Sequence, residues 1–467
     1  MLFNSIHYLW FLPSVFFLYW GVFKGIRARN VLLIVVSYVF YAWWDPRFLL
    51  LLFASSFSDF WLGHWIDRAQ DARSRKGLLI ASLVFNLGLL GYFKYAGFFI
   101  NSMADALRAM GWEPDLPMLN IVLPVGISFY TFQSISYTME IYRRQMRAVD
   151  DPWAYLAFVS FFPHMVAGPI MRAIDLLPQI TTQRVFTYAN GTAGLRLILY
   201  GLFKKVVIAD RLAPMVNDIF RDYDTLPGSD LALGALYFAF QIYGDFSGYS
   251  DIAIGSAKLL GIELMTNFRT PYLARDIGDF WQRWHISLST WFREHLYIPL
   301  GGNRAGNARR FSNVLLTFIA SGFWHGANWT FLAWGAIHGL LYLPLIGKKA
   351  AAPVRRAGMP RLVAGMILTF TCVTLAWVFF RAPTIGEALS YLRGILSPSL
   401  FTMPAYLTGI PFVVVMFVLD VVNRHHVRDP FSQLRSRALR YTIYIGMVLT
   451  VVLLSTREHI GFIYFQF

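Results

Sequence analysis

FSNVLLTFIASGFWHGANWTFLAWGAIHGLLYLPLI, residues 311–346, is the stretch whose reading sets the architecture. It divides into two apolar runs, 311–324 and 327–346, that meet in Ser321-Gly322-Phe323-Trp324-His325-Gly326-Ala327-Asn328-Trp329. Runs of about 20 apolar residues cross a bilayer as helices, which satisfy every backbone N–H and C=O within the segment. A histidine where two such runs meet lies at membrane depth. Counting about 1.5 Å of rise per residue from a cytoplasmic start near Phe311 places His325 roughly two thirds of the way across.

Outward from this pair, apolar runs recur at about 6–23, 31–46, 48–66, 77–99, 120–141, 194–210, 231–260, 362–380, 404–423 and 441–456. The composition agrees: hydrophobic residues make up 57% and charged residues 14%, against roughly 25% charged in a soluble protein. Lipid must therefore be the main solvent. A single cysteine, Cys372, rules out an internal disulfide. The excess of 41 Lys+Arg over 26 Asp+Glu gives +15. A nucleic-acid binder would gather that charge on one face; here it sits in short clusters between apolar runs, the pattern of cytoplasmic loops.

Those clusters orient the chain. Lys24 to Arg29, Arg68 to Lys76, Arg143 to Arg147, Lys348 to Arg361 and Arg424 to Arg440 are predicted to be cytoplasmic. The turn at Asp45-Pro46, the 101–119 connection and both termini fall outside. Lys204 and Lys205 break the ladder, because they sit late in the 194–210 run where the count leads outward. Residues 153–180 and 271–300 are too polar or too broken by proline and glycine to span, and are expected to be re-entrant or interfacial, near an internal cavity. Within 271–300, Ile277, Trp281, Trp284, Leu288, Trp291 and Leu296 recur at helical spacing, which predicts one amphipathic interfacial helix with His285 on its flank. The expected fold is an all-α polytopic membrane protein of about 11–12 transmembrane helices plus re-entrant and interfacial helices. No repeat or linker divides it, so 1–467 reads as one membrane domain.

Four places could carry chemistry. His325 is the first, since ionisable groups at membrane depth are functional by default. A neutral imidazole suits removal of a proton from a sugar hydroxyl, and Gly326 beside it would let another molecule approach. The alternative is a core histidine bonded to a backbone carbonyl. His285 is the second; it could hold an acyl carbonyl oxygen, orient the base or bind the acceptor, or simply meet headgroups. The third is Tyr243 to Asp251, where Asp245 and Asp251 read better as members of an ion-pair network than as acid and base. The fourth is His164, between Pro163 and Pro169, whose expected role is structural. No zinc-protease, nucleophile-elbow or phosphate-loop motif is present, so a metal, a serine nucleophile and ATP lose support.

Taken together, Phe162 to Ile170, Asp245-Phe246-Ser247-Gly248-Tyr249-Ser250-Asp251, Phe280 to Ser289, Trp324-His325-Gly326 and the aromatic C-terminus resemble the membrane-bound O-acyltransferase family. The likeness is to its bacterial branch for alginate O-acetylation and teichoic-acid D-alanylation, with a motif-bearing core at about 120–346. The resemblance implies a fold around a central funnel or tunnel, His325 as the catalytic histidine and His285 as the second motif histidine. Asp245, Ser247, Arg283, Trp324 and Asn328 would support them. It also implies acyl transfer from a cytoplasmic thioester, acetyl-CoA or another, toward an extracytoplasmic polysaccharide or a transfer protein outside, in the bacterial inner membrane. No bound cofactor is expected. A different class, a transporter or scaffold using the buried His and Asp as a proton relay or structural network, stands as the alternative.

The C-terminal Gly461 to Phe467 has two readings. Phe462, Tyr464, Phe465 and Phe467 could lie in the aromatic belt of the interface. They could equally dock a partner outside, as the resemblance suggests through a Phe-x-x-Phe-x-Phe pattern at Phe462, Phe465 and Phe467.

Overall fold

The computed structural model describes residues 1–114, 121–166, 168–304, 306–346, 358–455 and 461–463. All regular structure among them is helical. Pro46–Arg68, Ala72–Ala109, Met359–Arg381 and Arg437–Leu454 are long and apolar enough to cross a membrane, and Ile6–Val22, Trp329–Leu345 and Leu407–Asn423 are shorter apolar helices. The chain is thus an all-α polytopic membrane protein. Each apolar run of the sequence coincides with a helix, with shifted ends. The run at 77–99 lies within one 38-residue rod. The run at 120–141 becomes helical only at Ile127, and the run at 404–423 becomes α-helical at Ile410.

Two compact units divide the chain: Met1–Leu195 with Ala253–Met265, and Arg196–Ile252 with Thr266–Phe467. The first is built around the helix Ile127–Tyr142, in which every residue except Met139 and Tyr142 is buried. It packs on Leu49–Arg68 and Ala72–Leu90. Among these helices Asp59 accepts hydrogen bonds from Ser82 Oγ (2.7 Å) and Asn86 Nδ2 (2.7 Å), so the buried carboxylate is satisfied by small polar side chains. The expected broken segment follows as short helices, Pro152–Ser160, Phe162–Met165 and Ala173–Thr181. Phe162–Met165 is wholly buried, the condition under which interrupted backbone is tolerated in a membrane protein, whereas Ala173–Thr181 buries one face and exposes Ile174, Asp175 and Pro178 on the other. His164 bonds the Phe158 carbonyl (3.0 Å) through Nε2 and Gln133 Nε2 (2.6 Å) through Nδ1.

In the second unit, the run expected at 194–210 widens into a π-helical turn, Phe203–Ala209, and continues as Asp210–Arg221. That turn resolves the two misplaced lysines. Lys204 pairs with Asp251, and Lys205 Nζ lies 2.7 Å from both Asp210 Oδ1 and Asp245 Oδ1. Both are interior ion-pair members, not loop charges, so a rule about loops could not place them. The helices Gly306–His325 and Trp329–Tyr342 form a tight hairpin through Gly322, Gly335 and Gly339, where a Cβ would meet the opposite helix. Small residues at such contacts let backbones approach.

Candidate active site

The segment expected as one interfacial helix is two short helices, Ile277–Trp281 and Ile286–Phe292, with a break between them. At the break His285 takes the left-handed conformation (φ 43°, ψ 53°). A non-glycine residue held there is uncommon, and strain of this kind gathers at functional sites. Asn267 holds it in place: its carbonyl accepts from Ile286 N (2.9 Å), and its Oδ1 accepts from Ser287 N (3.2 Å) and Ser287 Oγ (2.9 Å). The stripe residues Ile277, Trp281, Trp284, Leu288 and Trp291 are buried on both sides of the break, and His285 is fully buried with them. The position of His285 on the flank of the stripe, four residues after Trp281, allows such an inward orientation, whereas the break in the helix has no local signal.

His285 packs edge-on against Phe246 at 4.6 Å between ring centroids and lies 6.0 Å from Trp324. Neither of its ring nitrogens has a hydrogen-bond partner among the described residues. Its full burial among aromatic rings favours the neutral ring over the charged one.

His325 ends the helix Gly306–His325, buried, with its ring centroid 6.1 Å from that of His285. Trp324 (5.0 Å), Trp334 (5.3 Å) and Phe380 (5.3 Å) wall it in. The two predicted histidines are therefore brought together in an aromatic box. The space beside Gly326 is taken by the Phe331 ring rather than left for a visitor, which corrects that expectation; the glycine serves the hairpin's own closure.

The supporting residues divide. Trp324 touches both histidines. Asp245 and Ser247 flank Phe246 on the helix Gly228–Leu259; Asp245 pairs with Lys205, and the buried Ser247 Oγ has no partner among the described residues. Arg283 turns to Asp279 (2.7 Å), and Arg275 meets the same carboxylate (3.1 Å). Asn328 caps the helix Trp329–Tyr342 through Thr330 N (3.1 Å) and donates to the Pro383 carbonyl (2.9 Å). Both therefore fix local backbone.

Phe462 is fully buried, 4.4 Å from Tyr249 and 5.8 Å from Phe246, and Ile463 N donates to Asp245 Oδ2 (2.7 Å). This corrects the expectation of a surface position for Phe462: an apolar ring whose neighbour's amide is satisfied by a buried carboxylate gains by entering the protein. Tyr464, Phe465 and Phe467 lie outside the described residues. Sequence reasoning also missed His338, buried on Trp329–Tyr342 at 5.0 Å from Trp281 and 4.7 Å from Trp334. It is an ionisable group inside an apolar run, so the depth criterion that found His325 would have found it. No group of three or more His, Cys, Asp or Glu among the described residues could hold a metal ion.

The model of the membrane-bound O-acyltransferase family matches residues 3–347, a stretch that contains both His285 and His325. "Probable alginate O-acetylase AlgI" of Pseudomonas aeruginosa is 42% identical over 441 residues, covering 93% of this chain and 83% of that protein. The "Peptidoglycan O-acetyltransferase" of Helicobacter pylori is 36% identical over 425 residues, covering 84% and 79%. The "Teichoic acid D-alanyltransferase" of Streptococcus thermophilus is 30% identical over 281 residues, covering 55% and 68%. The helical membrane fold and this match over most of the sequence agree, and the chain belongs to the membrane-bound O-acyltransferase family.

Proposed function

We propose that this O-acyltransferase moves an acetyl group from cytoplasmic acetyl-CoA toward hydroxyls of an extracytoplasmic polysaccharide, with His325 as general base on the acceptor hydroxyl, which belongs to the glycan itself or to a transfer protein outside. The observation that carries the reading is the pair of buried histidines, 6.1 Å apart between ring centroids, in a box of aromatic side chains. Relatives named for acetylation of alginate and of peptidoglycan support acetyl as the group and a glycan as the acceptor. His325 takes the proton of the acceptor hydroxyl, and the oxygen attacks the thioester carbonyl carbon. His285, neutral and with both nitrogens uncommitted among the described residues, donates a hydrogen bond to the oxyanion that forms. Collapse expels the coenzyme A thiolate, which recovers the proton from His325. The aromatic walls keep water from competing for the acetyl group.

The enzyme would sit in a bacterial cytoplasmic membrane with both termini outside, as the basic loops at 67–76 and 424–440 suggest. A transfer protein outside would carry the group onward, with Tyr464, Phe465 and Phe467 as its candidate contact. Removal of a general base costs about 10²–10⁴ in rate. His325→Ala should therefore lose thiol release from acetyl-CoA and glycan acetylation by that factor while still accumulating in the membrane. Wild-type acetylation in that variant refutes the assignment.

A further inference from the structure

The helix Arg437–Leu454 buries only Met447 of its eighteen residues, so protein holds it along one narrow line. Beside it, within the second unit, lies a groove of about 460 Å³ that it shares with the helix Ile410–Asn423. Every lining residue is apolar, among them Phe203, Leu419, Leu434, Leu439 and Met447. The volume falls in the range of small-molecule sites, about 300–1,000 Å³. Along Arg437–Leu454 the lining runs from Leu439 to Met447, about 12 Å of helical rise. Half of the hydrocarbon core is about 15 Å, so the groove has the depth of one leaflet. A partner helix that crossed the membrane would need twice that length; an acyl chain would not.

The end of the groove beside the loop is basic. In the chain Leu434 is followed by Arg435 and Leu439 by Arg440, and on the facing helix Val422 lies two residues before Arg424. From Arg424 to Arg440 five arginines stand against one carboxylate, Asp429, which Arg196 already holds at 3.0 Å. Arg435 and Arg437 are exposed, and no ion pair occupies them or Arg440 among the described residues. The loop that carries this charge is pinned. Phe431, which lines the groove, takes the left-handed conformation at φ 64°, and its N–H donates to Oδ1 of the buried Asn423 at 2.8 Å. A non-glycine residue held there is uncommon and marks a rim set in advance of its ligand.

We propose that this groove binds an anionic phospholipid of the leaflet that the charge rule makes cytoplasmic, with one acyl chain between the two helices and the phosphate on Arg435 and Arg440. A guanidinium fork matches phosphate oxygens in geometry as well as charge. The bound lipid supplies the packing that the helix Arg437–Leu454 lacks.

Gly446 provides the test, because it lines the groove and a Cβ there would meet nothing within 4 Å. Gly446→Leu therefore fills the groove without displacing backbone. The full chain in neutral detergent is titrated with phosphatidylglycerol or with phosphatidylcholine of the same acyl chains, and bound lipid is counted by native mass spectrometry. Each basic residue beside an anionic lipid is worth about fivefold in affinity, so wild type should prefer phosphatidylglycerol about 25-fold. Arg435→Ala with Arg440→Ala should erase most of that preference and leave phosphatidylcholine unchanged, and raised salt should narrow it as well. Gly446→Leu should weaken both lipids at least about tenfold, the loss of some two buried methylenes. Should the arginine pair fail to accumulate, the salt series and Gly446→Leu read the same two quantities. Equal affinity for the two lipids in wild type, a preference that survives the loss of both arginines, or binding untouched by Gly446→Leu each overturns the proposal. No bound lipid, with a protein partner that co-purifies until Gly446→Leu releases it, overturns it as well.

Discussion

Gly248→Ala tests how tightly the histidine site depends on packing between helices that carry no catalytic group. A Cβ at Gly248 would lie 2.7 Å from the Gly201 carbonyl oxygen and 3.1 Å from Lys205 N. Ordinary carbon–oxygen contacts run at about 3.3–3.6 Å, so the helix must yield by more than about half an ångström. Both opposing atoms are backbone, so no side chain can swing aside to absorb the strain. The displaced helix carries Phe246, whose ring is 4.6 Å from His285, and Asp245, which pairs with Lys205 at 2.7 Å. Misplacement by 1 Å costs about 10² in rate, so this shift should lower turnover about tenfold. Overpacking of this kind also costs about 1–3 kcal/mol of stability. Thiol release from acetyl-CoA and thermal unfolding in detergent measure the two effects. Gly88→Ala is the control, because nothing lies within 4 Å of its Cβ position. If Gly248→Ala matches wild type in both rate and melting temperature, the close approach does not position the site.

Lys205→Met removes the lysine that lies between Asp245 and Asp210, a loss of about 3–5 kcal/mol, and should fail to accumulate; replacing Asp245 by Leu in the same chain should restore part of the yield. Asn267→Ala removes the acceptor for Ser287 N and Oγ and should cost about 1–3 kcal/mol, with a larger loss of turnover than of stability because the turn at His285 relaxes. Phe462→Ala empties a fully buried ring site and should cost about 3–5 kcal/mol, read as a lowered melting temperature in detergent; a variant as stable as wild type would place that ring outside the core.

Helix positions were legible because an apolar run of spanning length must satisfy its backbone within itself, and each such run coincides with a helix. Their ends were less legible. The helix Ala72–Ala109 exceeds its apolar run because it also takes in Arg73, Arg75 and Lys76 at one end and Ala104, Ala106, Leu107 and Arg108 at the other, good helix formers whatever their polarity. His325 and His285 were found for two different reasons. His325 stood out as an ionisable group between two spans, whereas His285 rested on its motif and on a helical stripe that the folded chain interrupts.

The lysine pair and the left-handed histidine share a cause. Sequence rules of this kind assign a residue to an environment from its near neighbours, and both exceptions are set by residues far along the chain. Lys204 and Lys205 follow an apolar run, so counting by loops sends them outward, yet their partners Asp251 and Asp245 lie on another helix. His285 follows Trp281 at helical spacing, yet Asn267 supplies the hydrogen bonds that stop the helix there. A polar group in a lipid-solvated chain that fits no local rule must find its partners inside the protein, because the surrounding lipid offers none. The misfits in the charge ladder and in the stripe therefore point at the interior ion pairs and at the candidate site, which is where a sequence that folds consistently elsewhere is expected to break its own pattern.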